Sequence, residues 1–301
     1  MDMPGYSHPQ YALSLAEFGT PHELPECGGW ILERHIQGWP YSDAMGCYPL
    51  FVCRDWSKLG EDIQKLEGKL ISLSLVTDPF ADIAHDKLAD IFNVCIKYKE
   101  HYIADLTEPI ELFVRKNSLR FAKNALKDLI VDSCVNPKLF FSEWVILYNS
   151  LIKRHKILGI RAFSEQSFQK LFTVPGLEMF IARLGYEIVG AAIWLVQDNI
   201  GYGHLMAISP LGYDFNAAYA LNWTAIQHFS KSLRWLDFGS GPGLSQKEDG
   251  LTAFKKGWTN KTLPVYLCGK VLDQKIYAEI SGVKGLSVAN YFPAYRSGEF
   301  L

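Results

Sequence analysis

The sequence predicts an α/β fold, α+β in arrangement, with a mixed but mainly antiparallel sheet carrying the second half of the chain. Three observations lead there. Of 301 residues, 49% are hydrophobic and 14% aromatic against 21% charged, enough to bury a large core and too apolar for disorder. Residues 113–131 and 142–155 repeat apolar side chains at helical spacing. From Leu177 the pattern turns to strands, in the order strand-strand-strand-helix-strand-helix-strand.

Residues 1–48 are rich in Pro, Gly, Trp and Tyr, with short strand candidates such as Trp30-Ile31-Leu32, and Pro49–Cys53 reads as a strand or the end of one. Leu70–Thr77 alternates apolar with small polar residues, a strand signature that Asp78-Pro79 stops. Leu88, Ile91, Phe92 and Cys95 then fall at helical spacing. In the 113–131 helix, Leu119, Ala122, Leu126 and Leu129 make an apolar face. Lys116, Arg120, Lys123 and Lys127 make a basic stripe on another side.

Trp144, Leu147, Tyr148 and Leu151 mark the helix from Ser142 to His155, and Ser164 reads as the cap of a further short one. Strands at 178–184 and 187–197 are joined by Gly185-Tyr186, and Asp198-Asn199 turns into a third at 201–208. A helix over 216–230, a strand over 234–238, a short helix over 251–258 and a strand over 265–272 complete the pattern.

Composition also excludes. The formal charge of -2 offers no global attraction to nucleic acid or anionic membrane, so a polyanion site has to be a local patch. The six cysteines lack a Cys-x-x-Cys pair or metal-ligand spacing, so no metal is expected; Cys95 reads as mid-helix and Cys268 as mid-strand, both small buried hydrophobes. The N-terminus has no basic region followed by an apolar one, and no apolar run nears the roughly 20 residues of a membrane helix. A cytoplasmic location is the resulting expectation.

The stretch Trp235-Leu236-Asp237-Phe238-Gly239-Ser240-Gly241-Pro242-Gly243 carries most of the functional information. Taken alone it mimics a methyltransferase glycine motif for S-adenosylmethionine, and Asp237-Phe238-Gly239 mimics a kinase metal loop. In the methyltransferase fold, however, that motif closes the first strand of a parallel sheet with the rest of the domain after it. Here an antiparallel meander precedes it and only residues 244–301 follow.

The strand order, Gly185–Gly190 with its hairpin, Tyr202-Gly203-His204-Leu205, Asp237-Phe238-Gly239 and Phe254-Lys255-Lys256-Gly257-Trp258 together resemble the GCN5-related N-acetyltransferase (GNAT) superfamily. Within it they resemble the FemAB-like and BioF2-like acyltransferases. Thr252-Ala253 stand where that branch carries the first Lys of its Lys-Phe-Lys-x-Gly-Phe/Trp step. The resemblance covers residues 110–272 and implies a GNAT-like sheet flanked by helices, in two GNAT-like halves. Residues 1–150 would be a diverged half including the basic helix, and 151–301 the acyltransferase domain.

It further implies direct transfer of an acyl or aminoacyl group to an amine, on an amino sugar, a peptide or a cell-envelope precursor. Acyl-CoA, acyl-carrier protein or aminoacyl-tRNA would be the co-substrate, with no tightly bound cofactor. Ser209–Ala218 departs from the superfamily's Gln/Arg-x-x-Gly-x-Gly/Ala acetyl-CoA loop, which favours the other two donors, although the helix from Asn216 has free N–H groups suited to a phosphate.

Candidate catalytic residues are Asp237, at the end of a strand, and Tyr202 and His204, on one face of another together with Met206. Each has a structural alternative: a turn residue for Asp237, a hydrogen-bonded strand residue for His204. Arg120, Lys123, Lys255, Lys256, Gly239 and Gly241 are the candidates for donor or phosphate binding. Adjacent helical residues point about 100° apart, so one of Lys255 and Lys256 faces the site. The competing reading of Arg120 and Lys123 is a solvated helix face. A non-catalytic GNAT-like binding module is the alternative for the whole chain.

Overall fold

A computed structural model describes residues 3–134, 136–241, 249–283 and 291–299. Its elements begin with α1 (Pro9–Ser14), β1 (Thr20–Leu24), β2 (Gly29–His35), β3 (Ser42–Gly46), α2 (Leu59–Gln64), β4 (Ser72–Val76), α3 (His85–Ile91) and β5 (Val94–Asp105). Next come α4 (Ile110–Phe113), α5 (Lys116–Ala125), β6 (Leu129–Cys134), α6 (Phe141–His155), α7 (Glu165–Leu171), β7 (Leu177–Leu184), β8 (Glu187–Gln197) and β9 (Ile200–Ile208). The chain continues through α8 (Pro210–Asp214), α9 (Ala217–Phe229), β10 (Trp235–Asp237), α10 (Gly250–Lys256), β11 (Lys261–Val271) and α11 (Gln274–Val283).

These elements form two compact units, neither continuous in sequence. One comprises residues 1–5, 99–157 and 172–263; the other comprises 6–98, 158–171 and 264–301. The basic helix α5 and the strand meander fall in the same unit.

In the first unit the strand order is β5-β10-β9-β8-β7-β6. All neighbours are antiparallel except β10 and β9, which run parallel. Gly185 makes the β7–β8 turn at φ +58, a left-handed conformation natural to glycine. Strand β7 is buried on both faces. Phe180 and Ala182 join a core beneath α9 and α5, where Phe229 lies 5.4 Å from Trp194 and 5.5 Å from Phe180, ring to ring. Met179 and Ile181 point the other way. That second face is covered by α6, which crosses β8 and β9 and buries Trp144 and Tyr148.

The second unit orders its strands β1-β2-β3-β4-β11, with only β3 and β4 parallel among them. Phe51 stacks edge-on against Trp56 at 5.6 Å above Leu73, Leu75 and Cys268. The predicted Pro49–Cys53 strand is reduced to one parallel bridge, Phe51 to Thr77. The aromatic segment near the C-terminus docks through Tyr295, whose hydroxyl bonds both Ser72 and Asp43, and through Arg296, which clasps Asp43 from Nε at 2.8 Å and Nη2 at 2.9 Å.

Two further predicted elements change. The 113–131 helix ends at Ala125, and Leu129 opens the edge strand β6. The apolar spacing runs on past Ala125, but turn bonds from Lys127 N to Asn124 O and Asp128 N to Ala125 O close the helix. Ile130 and Val131, both β-branched, then extend opposite Arg183 and Ala182. Cys95 lies on β5, not in a helix, with its Sγ 3.8 Å from that of Cys268. All six cysteines are free thiols. Among the described residues no helix is long and apolar enough to cross a membrane.

Candidate active site

Strand β10 is three residues long and held on both edges, antiparallel to β5 and parallel to β9. Leu236 points into the core under α9, and Phe238 meets Trp194 edge-on at 5.3 Å. Alternation therefore sends Asp237 to the opposite face, where Ile103 and Tyr202 are its register partners. Asp237 is only 2% exposed. A buried carboxylate needs compensating hydrogen bonds, and it has two: Gly239 N donates to Oδ1 at 2.6 Å, and Oδ2 lies 2.7 Å from His101 Nδ1.

Beyond Asp237 the chain turns through Gly239 at φ +71. A side chain there would be strained, and its Cβ would stand 3.2 Å from Lys255 Nζ. Phe238 N to Tyr102 O and Tyr102 N to Gly239 O tie the turn to β5. Two ammonium groups then hold successive carbonyls: Lys255 donates to Ser240 O at 2.7 Å and Lys99 to Gly241 O at 3.2 Å. A Cβ on Gly241 would stand 2.5 Å from Thr252 Oγ1, so the loop lies directly against α10. Pro242 and Gly243 of the glycine run lie outside the described residues.

Lys255 stands at the charge centre of this arrangement. Burial pulls its ammonium down to about 8; the Asp237 charge opposes that shift, Lys99 adds to it, and Asp249 opposes it more weakly. Asp249 also caps α10, its Oδ1 accepting from Thr252 N at 2.8 Å. Phe254 and Trp258 fix the helix, packing on Tyr219 of α9 at 4.9 and 5.9 Å. Gly257 lets α10 close on α5, since a Cβ there would collide with Ser118 Oγ.

The other candidate residues divide. Lys256 is half-buried on α10, and it is Lys255 that reaches the loop. Tyr202 lies beside Asp237 but is 2% exposed, which makes it a packing neighbour and not an accessible hydroxyl. The shared face expected for Tyr202, His204 and Met206 does not form. The β8–β9 register skips His204: Tyr202 sits opposite Leu195, whereas Met206 sits opposite Ala192 and joins the core under α9. Burial also drives the His204 imidazole down to about 3, so it is neutral and a weak proton acceptor. Arg120 and Lys123 are exposed on α5, Arg120 lying 5.3 Å over its neighbour Phe121. Neither is brought to the Asp237 loop.

Two residues of this cluster, Lys99 and His101, carry no motif. Their signal was period-two: Lys97, Lys99 and His101 alternate with Tyr98, Glu100 and Tyr102 before Ile103-Ala104, a strand with titratable groups along one face. The first turn of α9 opens at Asn216, at φ 57 and without a side-chain cap. The Ser209–Ala218 segment ahead of it is itself a short helix: Ser209 caps α8, and Gly212 packs so tightly on Val189 that a Cβ would strike its carbonyl.

No family model and no curated protein sequence matches the chain. Solved structures do. FemX is 13% identical and aligns over 92% of this chain and 95% of its own, with a TM-score of 0.66. The C-terminal domain of a putative lysylphosphatidylglycerol synthetase from Agrobacterium fabrum is 17% identical over 86% of this chain and 87% of its own, at 0.63. L-PGS from Bacillus licheniformis is 14% identical over 94% and 98%, at 0.61. The likeness is one of fold: this chain shares the fold of FemX, of the lysylphosphatidylglycerol synthetase domain and of L-PGS.

Proposed function

We propose that this chain is an acyl- or aminoacyl-transferase that N-acylates an amine acceptor by direct transfer. The observation that carries the reading is the half-buried Lys255 ammonium, pinned to Ser240 O above the buried Asp237 carboxylate, within a FemAB-like fold. In acyl transfer an amine attacks an ester or thioester carbonyl, and negative charge develops on the carbonyl oxygen. A lysine ammonium has three N–H donors and Ser240 O takes one, leaving two to meet that charge. The fold neighbours include a putative lysylphosphatidylglycerol synthetase, whose name specifies a lysyl group joined to a lipid. The acceptor proposed here is an amino sugar, peptide or other cell-envelope precursor.

Among donors, aminoacyl-tRNA or acyl-carrier protein fits better than acyl-CoA. The Ser209–Ala218 segment uses Gly212 to pack on β8 and folds into α8, which suits packing more than a phosphate cradle. The exposed row Lys116, Arg120, Lys123 and Lys127 suits a polyanionic donor such as tRNA. The same departed loop favours one second reading, a non-catalytic module that binds without transferring. Incubation with acetyl-CoA, acyl-carrier protein or charged tRNA, plus an amino sugar or lysyl peptide, separates the two by mass spectrometry. The transferase reading expects an acceptor heavier by one acyl or aminoacyl group; donor binding with no mass gain from any donor overturns it.

A further inference from the structure

We infer that His101 is the general base of the transfer reaction and Asp237 the residue that positions it, an inference that rests on the transferase reading. The hydrogen-bond inventory leads to it. An ionised carboxylate can only accept, so the contact between Asp237 Oδ2 and His101 Nδ1 at 2.7 Å puts a proton on Nδ1. The neutral ring then carries its lone pair on Nε2, the atom facing away from the carboxylate. Asp237 cannot swing off, because Gly239 N holds its other oxygen at 2.6 Å.

Burial orders the pair as a base and its orienter. The Asp237 side chain is 2% exposed and that of His101 9%, so the imidazole is the more accessible of the two. The charged groups around the pair come from three elements. Lys99 lies two residues back on the same face of β5, Asp237 is on β10, and Lys255 with the capping Asp249 is on α10. The two lysines hold the Ser240 and Gly241 carbonyls, which fixes the loop beside the dyad. Of the other candidate bases, Tyr202 is buried and His204 is a weak acceptor.

The step balances without a further reagent. The neutral acceptor amine attacks the acyl carbon, its C–N bond forms, and Nε2 takes the N–H proton. The C–O bond of the ester, or the C–S bond of the thioester, breaks with its electron pair leaving on oxygen or sulfur. The imidazolium returns the same proton to that leaving group, and His101 is neutral again.

The test uses the full chain with charged tRNA, acyl-carrier protein or acetyl-CoA as donor and an amino sugar or lysyl peptide as acceptor. His101→Gln is expected to lower kcat about 10²-fold or more, the ordinary range for losing a general base, and to abolish the acid limb of the pH–rate profile. Imidazole in the buffer restores turnover to His101→Ala. Asp237→Asn no longer fixes the proton on Nδ1, so kcat is expected to fall with KM little changed. Nitrogen-15 spectra of the wild-type imidazole, which require folding but no activity, are expected to show Nδ1 protonated and Nε2 bare. A proton on Nε2 overturns the inference, as does a His101→Gln enzyme with wild-type kcat and acid limb; both leave the transferase reading standing. A wild-type protein that transfers from no donor ends that reading instead, and the base role with it.

Discussion

Asp237 and Asp43 are both buried aspartates, one in each unit, yet their surroundings make opposite use of the charge. Asp43 is 0% exposed and is met by two permanent cations, Arg296 through two nitrogens and Arg34 Nε at 3.3 Å, and by the donating Tyr295 hydroxyl. Guanidinium groups do not release protons in the working pH range, and every partner there serves to hold chain segments together. Asp237 instead faces an imidazole, and a lysine whose ammonium is lowered to about 8 stands beside the glycine turn that follows it. A carboxylate ringed by groups that cannot titrate is architecture; one ringed by groups that can titrate is poised for chemistry.

The contrast can be broken most forcefully at Asp43. Asp43→Ala leaves Arg34 and Arg296 only Glu299 as counter-charge and is expected to cost about 3 kcal/mol of stability by urea unfolding. Turnover per folded molecule should survive; a selective loss of turnover in well-folded protein would erase the distinction. The matching cut in the other unit is Lys255→Met, which should leave the melting curve near that of the wild type and lower kcat about 10²–10³-fold.

The pH dependence sharpens this further. Lys255 is charged below about 8 and loses its charge as pH rises through that value, so a rate that needs the ammonium falls on the alkaline side. Lys255→Arg stays charged and should abolish that fall; an alkaline limb unchanged in the arginine variant would point to another group. Gly239→Ala is expected to cost about 1–2 kcal/mol for its left-handed backbone, with turnover lowered because the new Cβ presses on Lys255 Nζ. Smallest is the pair Arg120→Ala with Lys123→Ala, which should shift stability by less than about 0.5 kcal/mol. It should raise KM for charged tRNA and not for acetyl-CoA; equal KM values for both donors would leave that face merely solvated.

How much was legible in the chain can be argued element by element. The meander was readable nearly residue for residue because alternation and the Gly185-Tyr186 and Asp198-Asn199 turns are local signals. The edge strand β6 was not, since Leu126 and Leu129 prolong a helical spacing that turn bonds after Ala125 interrupt. Strand β5 was hidden by its polar face, where the lysines and His101 that serve the loop interrupt the apolar pattern. The Tyr202–His204–Met206 face failed for a related reason: one extra residue in β9 switches sides, and nothing in the sequence announces it.

The sequence by itself determined the order of strands and helices from Leu177 onward and the strand-end position of Asp237. Both follow from short-range periodicity and turn chemistry. Which groups meet was decided by tertiary structure. His101 reaches Asp237 across 136 residues of chain, and Lys99 and Lys255 converge on one loop from different elements. The exposure of Arg120 and the low basicity of His204 are likewise properties of burial. Burial and long-range pairing depend on how the sheet is ordered, and that is a property of the packed chain, not of any window within it.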